Sequence, residues 1–191
     1  MAEPSDHFAT LGQARRPWLA PEELKETFHR ATARSHPDVT GEAGAAAELN
    51  AAFATLRDPA ARLRHLLELE HPATLAKQRA VPAALAEIFL RLATLRRAVD
   101  AFVEQQSGAV SPLSQALVAS EKFALQRDVE KEQQAVEAVH ARCVEELEAL
   151  DRAWADRSEE TVETAAELQQ ELAYLAKWGW QLRECLFRLG T

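Results

Sequence analysis

Ser35-His36-Pro37-Asp38-Val39 separates two helical patterns and decides how the first third of this chain is read. Pro37 lacks an N–H, fixes its own φ and drives His36 out of the α region, so a helix arriving from the N-terminal side stops here. The tripeptide leaves one imidazole and one carboxylate at the tip between two helices. On the N-terminal side, Pro21 opens a helix that runs to Arg34. Proline suits a first helical turn, and Glu22 and Glu23 suit the positive end of the helix dipole. Leu24, Phe28 and Ala31 recur at helical spacing, while Lys25, His29, Arg30 and Arg34 fall on other faces. That basic set reads in two ways: a solvated surface with bases near the helix C-terminus, or a dock for an acidic partner.

On the C-terminal side, a helix from Glu42 to Arg57 carries Leu49, Ala52, Phe53 and Leu56 on one face. These residues are expected to meet Leu24 and Phe28 in an antiparallel hairpin. Asp58-Pro59 is a cap-plus-first-turn start for the next helix, which reaches about Glu70 with Leu63, Leu66, Leu67 and Leu69. His71-Pro72 ends it. Before the hairpin, Asp6 to Leu11 forms a short amphipathic piece closed by Gly12, and Trp18 is expected to cover the small core.

Composition sets outer limits. A chain of 191 residues accommodates one or two domains and a sizeable core. It has only six glycines, and Ala, Leu, Glu and Arg predominate, which predicts an all-α protein. The net charge is −8, with eleven acids against eight bases in residues 1–71 and nineteen against fourteen in the remainder. Neither part has the basic excess that nucleic-acid binding needs, so no nucleic-acid partner is expected. No apolar run is long enough to cross a membrane, and the N-terminus lacks the features of a leader, so a cytoplasmic protein without a membrane partner is expected. Cys143 and Cys185 lie far apart inside helical patterns, away from any zinc-type spacing, and read as small buried residues. There is no phosphate loop, nucleophile elbow or His-x-x-x-His pair. The expectation is therefore no enzyme, no catalytic residue, no metal and no cofactor.

The His-Pro-Asp tripeptide, its two flanking helices and the run Leu49-Asn50-Ala51-Ala52-Phe53-Ala54-Thr55-Leu56-Arg57-Asp58-Pro59 together resemble a J domain, the module of DnaJ-type co-chaperones. The Leu-rich continuation from Ala60 to Leu69 narrows the resemblance to HscB-like co-chaperones of iron–sulfur cluster assembly. The resemblance implies that His36, Pro37 and Asp38, with the basic residues Lys25, Arg30 and Arg34, contact a heat-shock chaperone ATPase of the DnaK/HscA type and stimulate it. Asp38 would pair with an arginine of that partner.

The rest of the chain fits the same layout: a J domain over 1–71, a linker over 72–81 and a three-helix bundle over 82–191. The first bundle helix carries Leu85, Ile88, Leu92, Leu95 and Val99. The second starts at Ser111-Pro112 and repeats Val136, Val139, Cys143, Leu147, Leu150 and Trp154 at an amphipathic period. After a turn at Asp156-Arg157-Ser158, the third carries Ala165, Leu168, Leu172, Leu175, Gly179, Leu182, Leu186 and Leu189, close to a coiled-coil seam. So short a turn implies an antiparallel pair. In HscB-like proteins the first bundle helix holds the client, an iron–sulfur scaffold, through apolar residues interleaved with acids. Here the candidates are Phe89, Leu90, Ala86 and Glu87, and Arg91, Arg96 and Arg97 stand where acids are expected. Phe89 has two open readings, buried by bundle packing or exposed for a client. Two alternatives to the iron–sulfur role also stand: a general J-domain co-chaperone with another client, and a helical adaptor with a vestigial J domain.

Overall fold

The computed structural model describes residues 5–34, 43–75, 81–105 and 111–190, and among them every regular element is helical. The protein is all-α: an N-terminal helical hairpin followed by a three-helix bundle. By packing, the residues group into two compact units, Met1–Ala80 with Cys143–Leu172, and Val81–Arg142 with Ala173–Thr191. These units follow contacts rather than chain order. The functional division at 1–71, 72–81 and 82–191 remains a proposal.

In the first unit, α1 (His7–Thr10) starts where the Asp6 carboxylate accepts the amides of Phe8 at 3.0 Å and Ala9 at 3.1 Å. Gly12, at φ +62°, takes the left-handed conformation that closes this turn. Next come α2 (Pro21–Arg34), α3 (Ala43–Arg57) and α4 (Pro59–Glu70). Asp58 caps α4 by accepting the Ala61 amide at 2.8 Å, with Pro59 at the first position, as the dipeptide predicts. The Phe28 and Phe53 rings stack at 4.3 Å, and Leu24, Leu49 and Leu56 are buried beside them, so α2 and α3 pair as the apolar pattern requires. Burying each such leucine contributes about 1.5–3 kcal/mol. One local difference falls within the expected linker. Pro72–Leu75 makes a short helix, α5, because a proline that ends one helix can begin another.

The same unit contains the C-terminal part of α7 (Pro112–Ala153), a 3-10 turn at Trp154–Asp156, and the start of α8 (Glu159–Gly190). Arg157 takes a left-handed φ of 43° in the turn, and Ser158 accepts the Thr161 amide to cap α8. Asp151 fastens the loop before α2: its carboxylate accepts the Trp18 amide at 3.1 Å and the Arg16 guanidinium.

In the second unit, a 3-10 turn at Ala83–Leu85 leads into α6 (Ala86–Gln105). Ser111 and Ser114 cap the start of α7 reciprocally. Arg91 of α6 pairs with Glu132 of α7 at 3.0 Å, and Arg188 of α8 with Asp100 of α6 at 2.5 Å. Ile88, Leu92 and Val99 are buried as the stripe predicts, while Leu95 is half-buried. On α8 the seam steps from Leu182 to Cys185 to Leu189, and Leu186 is only half-buried. A seam near 3.5 residues per turn can advance by three or four, and here it takes the step of three.

Candidate partner-binding surfaces

His36, Pro37 and Asp38 lie outside the described residues. Their helical flanks are described. Lys25, Arg30 and Arg34 are all exposed, and none makes an ion pair among the described residues. Arg30 donates to the Thr27 hydroxyl at 3.0 Å. The three cations do not form one stripe. Five residues separate Lys25 from Arg30, which turns them about 140° apart, whereas Arg30 and Arg34 lie about 40° apart. Lys25 instead borders a cavity of about 340 Å³ that also takes in Trp18, Leu24, Phe53, Arg57 and Arg62.

Arg62, like Asp151, is a side chain in this unit that sequence reading does not flag. It is 2% exposed. Its Nε donates to the Pro17 carbonyl at 2.7 Å and its Nη1 to the Leu56 carbonyl at 2.6 Å. The guanidinium also lies 5.8 Å from the centre of the Trp18 ring. Burial lowers its pKa to about 10, against the opposing pull of Asp58 and Asp151. This arginine ties the loop before α2 to the C-terminal end of α3. The helices that bracket the tripeptide are thereby fixed at the ends remote from it.

A second polar cluster surrounds α1. The His7 amide donates to Nε2 of His65 at 3.0 Å, and the two rings lie 4.6 Å apart. Burial depresses the pKa of His65, and the neighbouring His7 adds to that. At Asp6, burial raises the carboxyl pKa, but Arg15 and the Ala9 and Phe8 amides together outweigh it and leave it lowered.

On α6, Ala86, Glu87, Phe89 and Leu90 are all exposed, with Phe89 at 44% and Leu90 at 65%. Packing of the three helices therefore leaves Phe89 half in water. Phe89 and Leu90 open in different directions. Phe89 borders a groove of about 470 Å³ between α6 and α8, where its ring lies 6.3 Å from that of Trp178, which in turn lies 5.5 Å from Tyr174. Leu90 borders a shallower cleft of about 550 Å³ toward α7, with Leu125 on its far side. Of the candidate client residues, Phe89 and Leu90 thus border different grooves, and Ala86 and Glu87 line neither of the two. Tyr174, Lys177 and Trp178, which complete the first, come from the far end of the chain; the Trp178-Gly179-Trp180 pair was the one signal for them.

Cys143 and Cys185 are unbridged and buried. Burial pushes the Cys185 thiol up, away from thiolate chemistry. Cys143 donates to the Glu171 carboxylate at 3.3 Å. Among the described residues no three His, Cys, Asp or Glu side chains gather into a group that could hold a metal, and no helix is long and apolar enough to cross a membrane.

No family model matches the sequence, and no curated protein matches it. Among solved structures, the chain is similar to the chaperone HscB from Vibrio cholerae, with 21% identity, a TM-score of 0.53, and coverage of 97% of this chain and 99% of that one. At that identity the likeness concerns the fold.

Proposed function

We propose that this chain is a J-domain co-chaperone of the HscB-like kind. In this reading His36, Pro37 and Asp38, with Lys25, Arg30 and Arg34, bind the ATPase of a DnaK/HscA-type heat-shock chaperone and stimulate it. The bundle over 82–191 holds the client, for which the resemblance suggests an iron–sulfur scaffold, and residues 72–81 link the two. The protein acts in the cytoplasm and carries out no catalysis of its own.

The observation that carries this reading is a fold shared with a chaperone along nearly the whole of both chains, in a sequence that sets His-Pro-Asp between the two helices of its N-terminal hairpin. The cations of α2, exposed and without an ion pair among the described residues, support it. The mechanism is linkage. A protein that binds one conformation of an ATPase more tightly raises the population of that conformation, and stimulation follows if it is the one that hydrolyses ATP.

The test is single-turnover ATP hydrolysis by the cognate chaperone with wild type, His36→Gln and Asp38→Asn. Both variants should lose stimulation. Their helicity and melting should hold, because the core of the first unit is built from other residues, Phe8, Leu24, Leu56 and Leu63 among them. Stimulation that survives both substitutions refutes the reading and favours the helical adaptor.

A further inference from the structure

We propose that the groove between α6 and α8 docks an acidic protein segment that carries an apolar or aromatic anchor. The inference gives the bundle's client a chemistry, and it rests on the co-chaperone reading only for the word client.

The groove combines two features. Its wall is apolar: Phe89, Leu92, Trp178 and Leu182 line it, and Phe89 leaves 44% of its surface in water beside the Trp178 ring. A half-exposed aromatic against a buried one is a seat for an inserted side chain. Its charged lining is positive. Arg96, Arg97 and Lys177 stand against the single acid Asp100. Asp100 is already engaged by Arg188 at 2.5 Å and, more loosely, by Arg96 at 4.0 Å. Arg97 and Lys177 make no ion pair among the described residues. In a chain of net charge −8, where carboxylates outnumber cations, two unmatched cations at the edge of an apolar groove stand out.

The neighbouring cleft provides the internal comparison. There Arg91 and Lys131 face Asp128 and Glu132, and Arg91 is bound to Glu132. That lining is balanced and selects no sign of charge. The α6–α8 groove does select, and it selects acids. A long polyanion such as nucleic acid would meet the acidic remainder of the chain, whereas a short acidic segment feels only charges within a Debye length, about 8 Å at physiological salt.

The test uses the full chain and three labelled probes in fluorescence-anisotropy titrations. The first is a synthetic peptide with a Leu-Phe pair flanked by Asp and Glu. The second is its counterpart flanked by Lys and Arg. The third is single-stranded oligothymidylate. The acidic peptide should bind best, and more weakly as salt rises. Arg97→Glu with Lys177→Glu should lower its affinity about tenfold, Arg97→Gln with Lys177→Gln should lower it less, and neither pair should change melting. Equal binding of the basic peptide, indifference to the charge reversal, or no binding of the acidic peptide overturns the inference. Tighter binding of oligothymidylate overturns it in favour of a phosphate polymer. Self-association that the same reversal abolishes overturns it in favour of a second copy of this chain. A wild type that stimulates its ATPase but ignores the acidic peptide refutes this inference alone; one that binds the peptide without stimulating refutes the proposed function alone.

Discussion

Replacing Arg62 with Met sets two effects of similar size against each other, and the structure decides the sign. The substitution removes a buried charge. With its pKa drawn down to about 10, holding the guanidinium inside the fold costs about 3 kcal/mol, and Met restores that. The substitution also removes both donors. The Pro17 and Leu56 carbonyls, bonded at 2.7 and 2.6 Å, are left without partners at about 1–3 kcal/mol each. The contact with the Trp18 ring contributes about 1–2 kcal/mol more. The combined loss of about 5 kcal/mol exceeds the gain, so Arg62→Met should destabilise the protein by about 2 kcal/mol. Arg62→Lys should cost more, because it keeps a buried charge without the planar fork that reaches two carbonyls. Urea unfolding followed by circular dichroism measures both, read as a lower midpoint at constant slope. A Met variant as stable as wild type, or a harmless Lys variant, would show that the two carbonyl bonds do not outweigh the burial of the charge.

Reversing Lys25 and Arg30 to Glu should weaken binding to the chaperone ATPase, and raising salt should mimic the loss in wild type; because the two residues occupy separate stripes, calorimetric titration of the single variants should give additive effects. Phe89→Ala should cost about 2 kcal/mol in a chemical melt, roughly half the 3–5 kcal/mol of a fully buried phenylalanine, and a full-sized loss would contradict the half-exposed placement. His65 is held neutral by burial and by His7, so the stability it contributes is fully present above its ordinary pKa of about 6.5 and is lost as pH falls below that toward the depressed folded value. Thermal melting should therefore decline with acid over that window, and a His65→Gln variant with the same slope would assign the decline to another group.

Helix boundaries were legible because the chain marks them with local chemistry. Pro21, Asp58-Pro59, Ser111-Pro112 and Ser158 each satisfy or remove orphaned amides within a turn, and each begins a helix where it should. The hairpin was legible through Phe28 and Phe53, whose spacing marks one face on each helix. The roles of Arg62 and Asp151 were not. Asp151 lies 135 residues from Arg16, and in sequence Arg62 is one more base on an amphipathic helix. Nothing local distinguishes a base that is solvated from one that receives carbonyls across the fold. The candidate client arc was legible as an excess of apolar surface on α6, but its division into two grooves depends on which neighbour each side chain faces. The choice of Cys185 over Leu186 on the seam likewise turns on a step of three rather than four, which periodicity leaves open.

Trp178 and Trp180 are two residues apart on one helix and point about 200° apart around it. The first is 4% exposed at the wall of the α6–α8 groove, and the second is 59% exposed. Their emission should differ accordingly. Trp180 should emit toward the red and be quenched by small solutes such as acrylamide, while Trp178 should emit toward the blue and be shielded. A ligand seated in the groove should change the shielded component and leave the quenchable one unchanged, whereas a partner covering the opposite face of α8 should do the reverse. With Trp18 and Trp154 replaced by Phe, the remaining two tryptophans would serve as optical labels for two faces of one helix.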